Sequence, residues 1–333
     1  MSIGVKTRKM LWGRAANRCA FPECKIELVM DETETDDESI IGDEAHIIAQ
    51  KPDGARGDSE FPIEKIDKYD NLILLCKIHH KLVDDQKNTY TIEALKNMRM
   101  QHENWVKEKL DYDEQRQKDD EIYASYLETF NNLVNSENWN GWTSYIISSS
   151  SSRMTKKHYN NLKELRNFLL NRIWPKRYLE LEEAFLNFRL ILNDFLMIFD
   201  KHSIDGKWDV WLMTEKFYKI REYDEERYNS LLKKYNYHED LITDFICELT
   251  RACNFIYELV RKYLIHNYRI NEGALLITRG PTMEGKDITY RLEYDEEEKR
   301  TLPYRGLHNF MEIRENRSVY FGKGISEDYS DIN

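Results

Sequence analysis

Hydrophobic positions along this 333-residue chain follow three regimes. In the first hundred residues they come in short bursts. Residues 5–18 read as a short helix leading into CAFPEC, a knuckle-like turn; EAHIIA (Glu44 to Ala49) and NLILLC (Asn71 to Cys76) read as short strands. Between the strands, KPDGARGDSEFP has the Gly and Pro of a loop, and KIHHKLVDD after them has helical character. Thr91 is placed to cap a further helix, with Ile92, Leu95, Met98 and Trp105 near one face. The charged stretch Asp111 to Asp120 predicts a linker or a solvent-exposed helix, followed by helix over 121–135. In the second regime, Leu181, Phe185, Phe188, Leu192 and Phe195 step by three and four, as do Leu241, Phe245, Leu249, Cys253, Ile256 and Val260, which predicts the core faces of a helical bundle. After Gly273 the pattern turns β-like in ALLIT, DITYRLEY and SVYFG. The expectation is an α+β protein: a small N-terminal domain over 1–112, and a mainly helical domain over 113–333 that ends in a small β region at about 273–325.

Charge and cysteine usage narrow the picture. No run of 18 apolar residues and no signal-like start occur, so a soluble, cytoplasmic protein without membrane partners is expected. The net charge of −11 weighs against tight nucleic-acid binding, which rests largely on Lys and Arg. The distribution softens that objection. Lys6, Arg8, Lys9, Arg14, Arg18 and Lys25 face only Glu23 in residues 1–25, while acidity collects in the loop Asp31 to Glu38 and in the C-terminal part; a local basic face is therefore expected. The Ser148–Ser152 run predicts a flexible loop or a phosphate-binding turn, and Trp139 and Trp142 beside it either stack on a ring or pack in the core. Of the five cysteines, Cys247 and Cys253 fall inside an apolar helical pattern and read as core residues.

The other three stand among histidines. Cys19-x4-Cys24 and Cys76-x2-His79 are two close pairs of soft or borderline ligands, the donor set of a tetrahedral structural zinc. The competing reading is unrelated cysteines kept reduced in the cytosol. Nested between and after these pairs are His46, Asn71 and His80.

The combination CAFPEC, GDEAHIIA, GARGD, YDNLILLCKIHHKLVDD and YTIEALKNMRMQHENW, over about residues 10–106, resembles the HNH endonuclease superfamily. The resemblance implies a ββα-metal finger, in which a two-stranded hairpin presents His46 and Asn71 and a helix presents His80. It makes His46 the general base, a role that suits an imidazole near its unperturbed pKa. Asn71 would fix the imidazole tautomer or the backbone around it. His80 would bind a catalytic divalent ion, Mg²⁺ or Mn²⁺, that stabilises the pentavalent phosphate and the leaving 3′-oxygen. Double-stranded DNA would be the substrate, cut to 5′-phosphate and 3′-hydroxyl ends.

The sequence departs from the family pattern at Ala45, where many members carry a second metal ligand. Asp84, four residues after His80 on one helix face, and Glu44 are the two substitutes. The adjacent His79 and His80 leave a swap of roles open, with CxxH spacing favouring His79 for zinc. Arg56 is placed either to hold a phosphate or to form a loop salt bridge. An unregulated nuclease would be toxic, so the C-terminal domain is expected to sense an activating ligand or protein partner and to allow homo-oligomer formation. An anti-phage or restriction effector would fit that arrangement by analogy. The alternative is a catalytically silent zinc module serving a DNA- or protein-interaction platform, which Ala45 favours.

Overall fold

The computed structural model describes residues 3–31, 37–109, 113–148, 150–206, 209–222, 224–281, 285–302 and 304–329. The chain divides into two units, Met1–Glu128 and Thr129–Asn333.

The first unit opens with α1 (Val5–Arg14). Two antiparallel pairs follow: β1 (Val29–Met30) with β2 (Ser39–Ile40), and β3 (Gly42–His46) with β4 (Leu72–Cys76). Then come α2 (Lys77–Asp85), α3 (Ile92–Lys109) and the first part of α4 (Glu114–Val134). All five residues of β4 are buried, which is why its sequence is a continuous apolar run with no alternation. The core gathers Leu11, Leu28, Ala45, the apolar residues of β4, Val83 and Leu95 around this hairpin. The first expected strand is real but begins and ends earlier, at Gly42 and His46. Thr91 caps α3 as expected, its hydroxyl accepting the Ala94 N–H at 3.2 Å.

Two expectations about charge are sharpened. Of the two alternatives for Asp111 to Asp120, the helix holds from Glu114 onward; residues 113–116 and 118 are exposed, while Gln117, Asp119 and Asp120 are buried, and residues 111 and 112 lie outside the described residues, as do 32–36 of the acidic loop. The N-terminal basic run is largely paired within the unit. Arg8 binds Glu44, Lys9 Nζ lies 2.9 Å from Asp120, Arg14 lies 3.2 Å from Glu121, and Arg18 pairs with Glu27. Spacing along the chain cannot show most of this, because the partners of Arg8, Lys9 and Arg14 come from β3 and α4.

The second unit holds α5 (Trp139–Ile147), β5 (Arg153–Thr155), α6 (Lys156–Leu170), α7 (Leu179–Lys201), β6 (Ser203–Asp205), β7 (Trp211–Thr214), α8 (Glu225–Tyr263), β8 (Leu276–Arg279), β9 (Ile288–Arg291), α9 (Glu296–Thr301) and α10 (Leu307–Ile313). The two expected apolar stripes lie on α7 and α8, and every residue named for them is buried, Cys253 among them; Cys247 is buried as well. Strands β5, β7 and β6 form a three-stranded sheet that the sequence pattern did not reveal, since three or four residues are too few to show alternation. β8 pairs with β9, as the C-terminal pattern predicts. SVYFG (Ser318 to Gly322) does not form a strand; the Phe321 and Gly322 N–H groups donate instead to the buried Asp244 carboxylate at 2.7 and 3.0 Å. Ser151 and Ser152 are buried, and the Ser152 N–H and hydroxyl both donate to Glu239, so this part of the serine run is an anchored turn and its donors are already paired. Residue 149 lies outside the described residues. Trp139 and Trp142 are buried edge to face, 5.0 Å between ring centroids, which decides for packing. No helix among the described residues is long and apolar enough to cross a membrane.

Candidate active site and metal centre

Cys19, Cys24, Cys76 and His79 converge, with one donor atom of each lying within 4.8 Å of all the others. The turn after α1 supplies the first two, and the junction of β4 with α2 supplies the second two. Four donors at zinc-ligand distances from one ion stand about 3.5–3.8 Å apart. His79 Nδ1 is 3.8 Å from Cys19 Sγ and 3.1 Å from Cys76 Sγ, so a small displacement seats the ion. The surroundings fit thiolates. Cys19 Sγ accepts the Cys76 N–H at 3.3 Å, and Cys76 Sγ caps α2 by accepting the His79 N–H at 3.5 Å. Phe21 stacks on the His79 ring at 3.9 Å and fixes its plane. Burial pushes the Cys19 thiol up to about 12, a cost that a bound cation offsets. This donor set can hold zinc, and its histidine is His79.

His80 lies elsewhere. Its Nδ1 is 3.0 Å from Asp43 Oδ2 and its Nε2 is 3.4 Å from Asp84 Oδ2. Asp43 was not anticipated from the sequence. It stands two residues before Ala45 on β3, and side chains two apart share a face of a strand, so the alternation was the signal. Glu44, by the same alternation, points the other way. It accepts from Arg8 Nε at 2.6 Å, Arg8 NH2 at 3.0 Å and Trp12 Nε1 at 2.9 Å, which removes it as a partner for His80.

His46 ends β3 opposite Leu72. Its Nε2 lies 2.9 Å from Asp67 Oδ1, and Gln50 Nε2 donates to the same oxygen at 3.0 Å. Burial opposes ionisation of Asp67, but the hydrogen bonds from His46 and Gln50 outweigh it and hold the carboxyl below the usual carboxylate range. Asn71 is 3 % exposed, and the hydrogen bonds of its side chain go to the backbone rather than to the His46 ring. Its Oδ1 accepts the Ile48 N–H at 2.9 Å, and its Nδ2 donates to the Ile48 carbonyl at 3.0 Å and the Ile66 carbonyl at 2.9 Å. Of its two expected roles, the amide thus takes the backbone one, clamping the chain just after His46 to the residue just before Asp67.

Arg56 is a strut. At a positive φ of 55°, it sends Nε to the Ile47 carbonyl at 2.8 Å, NH1 to the Val83 carbonyl at 2.6 Å and NH2 to Asp84 Oδ1 at 2.6 Å. One guanidinium therefore joins the residue after His46 to the last turn of α2, where it also satisfies a carbonyl left free by the helix end. The salt-bridge alternative holds for Arg56.

Residues 19–87 match the family model described as HNH endonuclease. No curated protein matches the chain. The N-terminal segment is thus similar to HNH endonucleases over residues 19–87 and carries a Cys3His cluster that could hold a metal.

Proposed function

We propose that this protein is a metal-dependent DNA endonuclease that hydrolyses phosphodiester bonds of duplex DNA. The observation that supports it is the pair of part-exposed histidines, His46 and His80, each set against a carboxylate on a hairpin-and-helix unit whose sequence matches HNH endonucleases. His46 is the general base for water. His80 holds the catalytic divalent cation, with Asp43 or Asp84 as its second ligand in place of Ala45. When bound, that cation, Mg²⁺ or Mn²⁺, supplies positive charge at the scissile phosphate and the leaving oxygen. Asn71 keeps the His46 loop in register, and the Cys19, Cys24, Cys76 and His79 site carries structural zinc.

The unit Thr129–Asn333 is the regulatory part in this reading. It would respond to a ligand or partner and make the protein a cytoplasmic defence or restriction effector. A module that matches a nuclease family on an acidic chain supports control of this kind, because net negative charge lowers non-specific DNA affinity.

Plasmid cleavage by the full chain with Mg²⁺ or Mn²⁺ tests the reading, with candidate nucleotides and phage DNA added as activators. Cleavage that is lost in His46→Ala and in His80→Ala supports it. Wild-type protein inert under every metal and activator would leave the silent binding module, which the buried Ala45 and the engagement of Asp84 by Arg56 favour.

A further inference from the structure

The carboxylate on His46 has a consequence for which ring nitrogen reacts. Among the described residues, the hydrogen-bonding partners of His46 lie at Nε2: Asp67 Oδ1 stands at 2.9 Å and Gln50 Nε2 at 3.4 Å. An ionised carboxylate only accepts hydrogen bonds, so a neutral His46 must place its proton on Nε2 to satisfy Asp67. Both side chains are about four-fifths buried, which limits competition from water. The pair is braced from behind: Gln50 donates to Asp67 Oδ1, and the carbonyl of Ile66, one residue before Asp67, is held by Asn71.

We infer that Asp67 is a positioning residue that accepts a hydrogen bond from the Nε2–H of His46 and leaves Nδ1 as the nitrogen that activates water. This rests on the phosphodiesterase reading proposed above. In the reaction an O–H bond of water breaks and its proton passes to Nδ1. The oxygen forms its bond to phosphorus as the bond from phosphorus to the 3′-oxygen breaks, and that oxygen takes a proton from solvent. His46 becomes an imidazolium whose Nε2–H still points at Asp67, so the charge it acquires meets a carboxylate already in place. Asn71 then contributes at one remove, by holding the segment that carries Asp67.

The test is made on the full chain, with ¹⁵N-labelled histidine and no divalent ion added beyond zinc. Long-range ¹H–¹⁵N correlation reads the tautomer of His46, assigned by the signal that disappears in His46→Gln. The expected result is a predominantly Nε2–H ring in the wild type. Asp67→Asn should shift the population toward Nδ1–H, because an amide N–H can donate to Nε2. Cleavage kinetics give the second readout. In Asp67→Asn, kcat should fall on the order of a hundredfold to ten-thousandfold, with KM within about threefold, and Asp67→Glu should recover part of the loss. An Nδ1–H ring in the wild type overturns the inference. So does an Asp67→Asn protein with the wild-type tautomer and kcat. A wild type that cuts nothing but shows the Nε2–H ring, shifted in Asp67→Asn, overturns the nuclease reading alone, since the proton placement is read without activity.

Discussion

Asn71 and Ile48 exchange two hydrogen bonds: the Ile48 N–H donates to Asn71 Oδ1 at 2.9 Å, and Asn71 Nδ2 donates to the Ile48 carbonyl at 3.0 Å. A side-chain amide thus replaces a backbone partner two residues after His46, where strand pairing has ended. Asn71→Ala leaves that N–H, that carbonyl and the Ile66 carbonyl unpaired. Each lost partner costs roughly 1–3 kcal/mol where the group stays dry. We expect a clear drop in melting temperature, and a drop in cleavage larger than the unfolded fraction explains. Asn71→Asp should be as damaging, because a carboxylate cannot donate to two carbonyls. Thermal melts beside plasmid cleavage check both variants.

Arg56 acts through the shape of its guanidinium, which reaches Ile47, Val83 and Asp84 at once. Lysine keeps the charge but offers a single nitrogen. Arg56→Lys should therefore destabilise the first unit by about 2 kcal/mol, and mobilise the loop between the strands. Denaturant unfolding and amide exchange at Ile47 and Ile48 would show it; unchanged exchange there would contradict the strut.

The Cys19, Cys24, Cys76 and His79 cluster predicts one tightly bound zinc per chain. In small metal-stapled domains most of the metal-binding energy is folding energy. A strong chelator should unfold the segment around α1, β4 and α2, seen as loss of the Trp12 contribution to fluorescence and as exposure of Cys19. Elemental analysis of the full chain without zinc, or a chelated protein that melts unchanged, would rule the site out. His80→Ala should keep its zinc, whereas His79→Ala should lose most of it, which tests how the adjacent histidines divide their roles.

His102 gives a pH dependence with a definite sign. The ring is buried; its Nε2 lies 3.0 Å from the Ala15 carbonyl and its Nδ1 2.6 Å from Lys25 Nζ. The carbonyl requires an N–H on Nε2, so Nδ1 keeps the lone pair that accepts from the ammonium. Burial first, and then the nearby Lys25 and Arg18 charges, push its pKa down to about 4 from 6.5. Between those two values the unfolded chain binds a proton that the folded chain does not, so stability rises with pH over pH 4 to 6.5 and falls on acidification. At about 1.4 kcal/mol per pH unit, the contribution is on the order of 3 kcal/mol. His102→Gln should flatten the difference between melts at pH 5 and pH 7 relative to wild type. Equal slopes would place the titration elsewhere.

Much of the candidate site was legible from residue type and spacing. The two close ligand pairs, the His that ends β3 and the Asn just before β4, and the stripes on α7 and α8 all rest on local periodicity and turn geometry, which short stretches of chain encode. Cys19, Cys24, Cys76 and His79 could be named because metal chemistry demands those donors, and the apolar stripes because burying one face demands that period. Partnerships between distant side chains could not be read in that way. Asp67 meets His46 across 21 positions, Arg56 meets Asp84 across 28, and Glu44 turns from His80 to Arg8 and Trp12. The basic N-terminal run, which promised a DNA-binding face, is largely paired with acids from β3, α4 and the turn after α1. Local sequence determines which groups are available and which face of an element they occupy. Which charges neutralise each other, and which nitrogen of His46 is left to react, depends on distances that exist only once the chain has closed on itself.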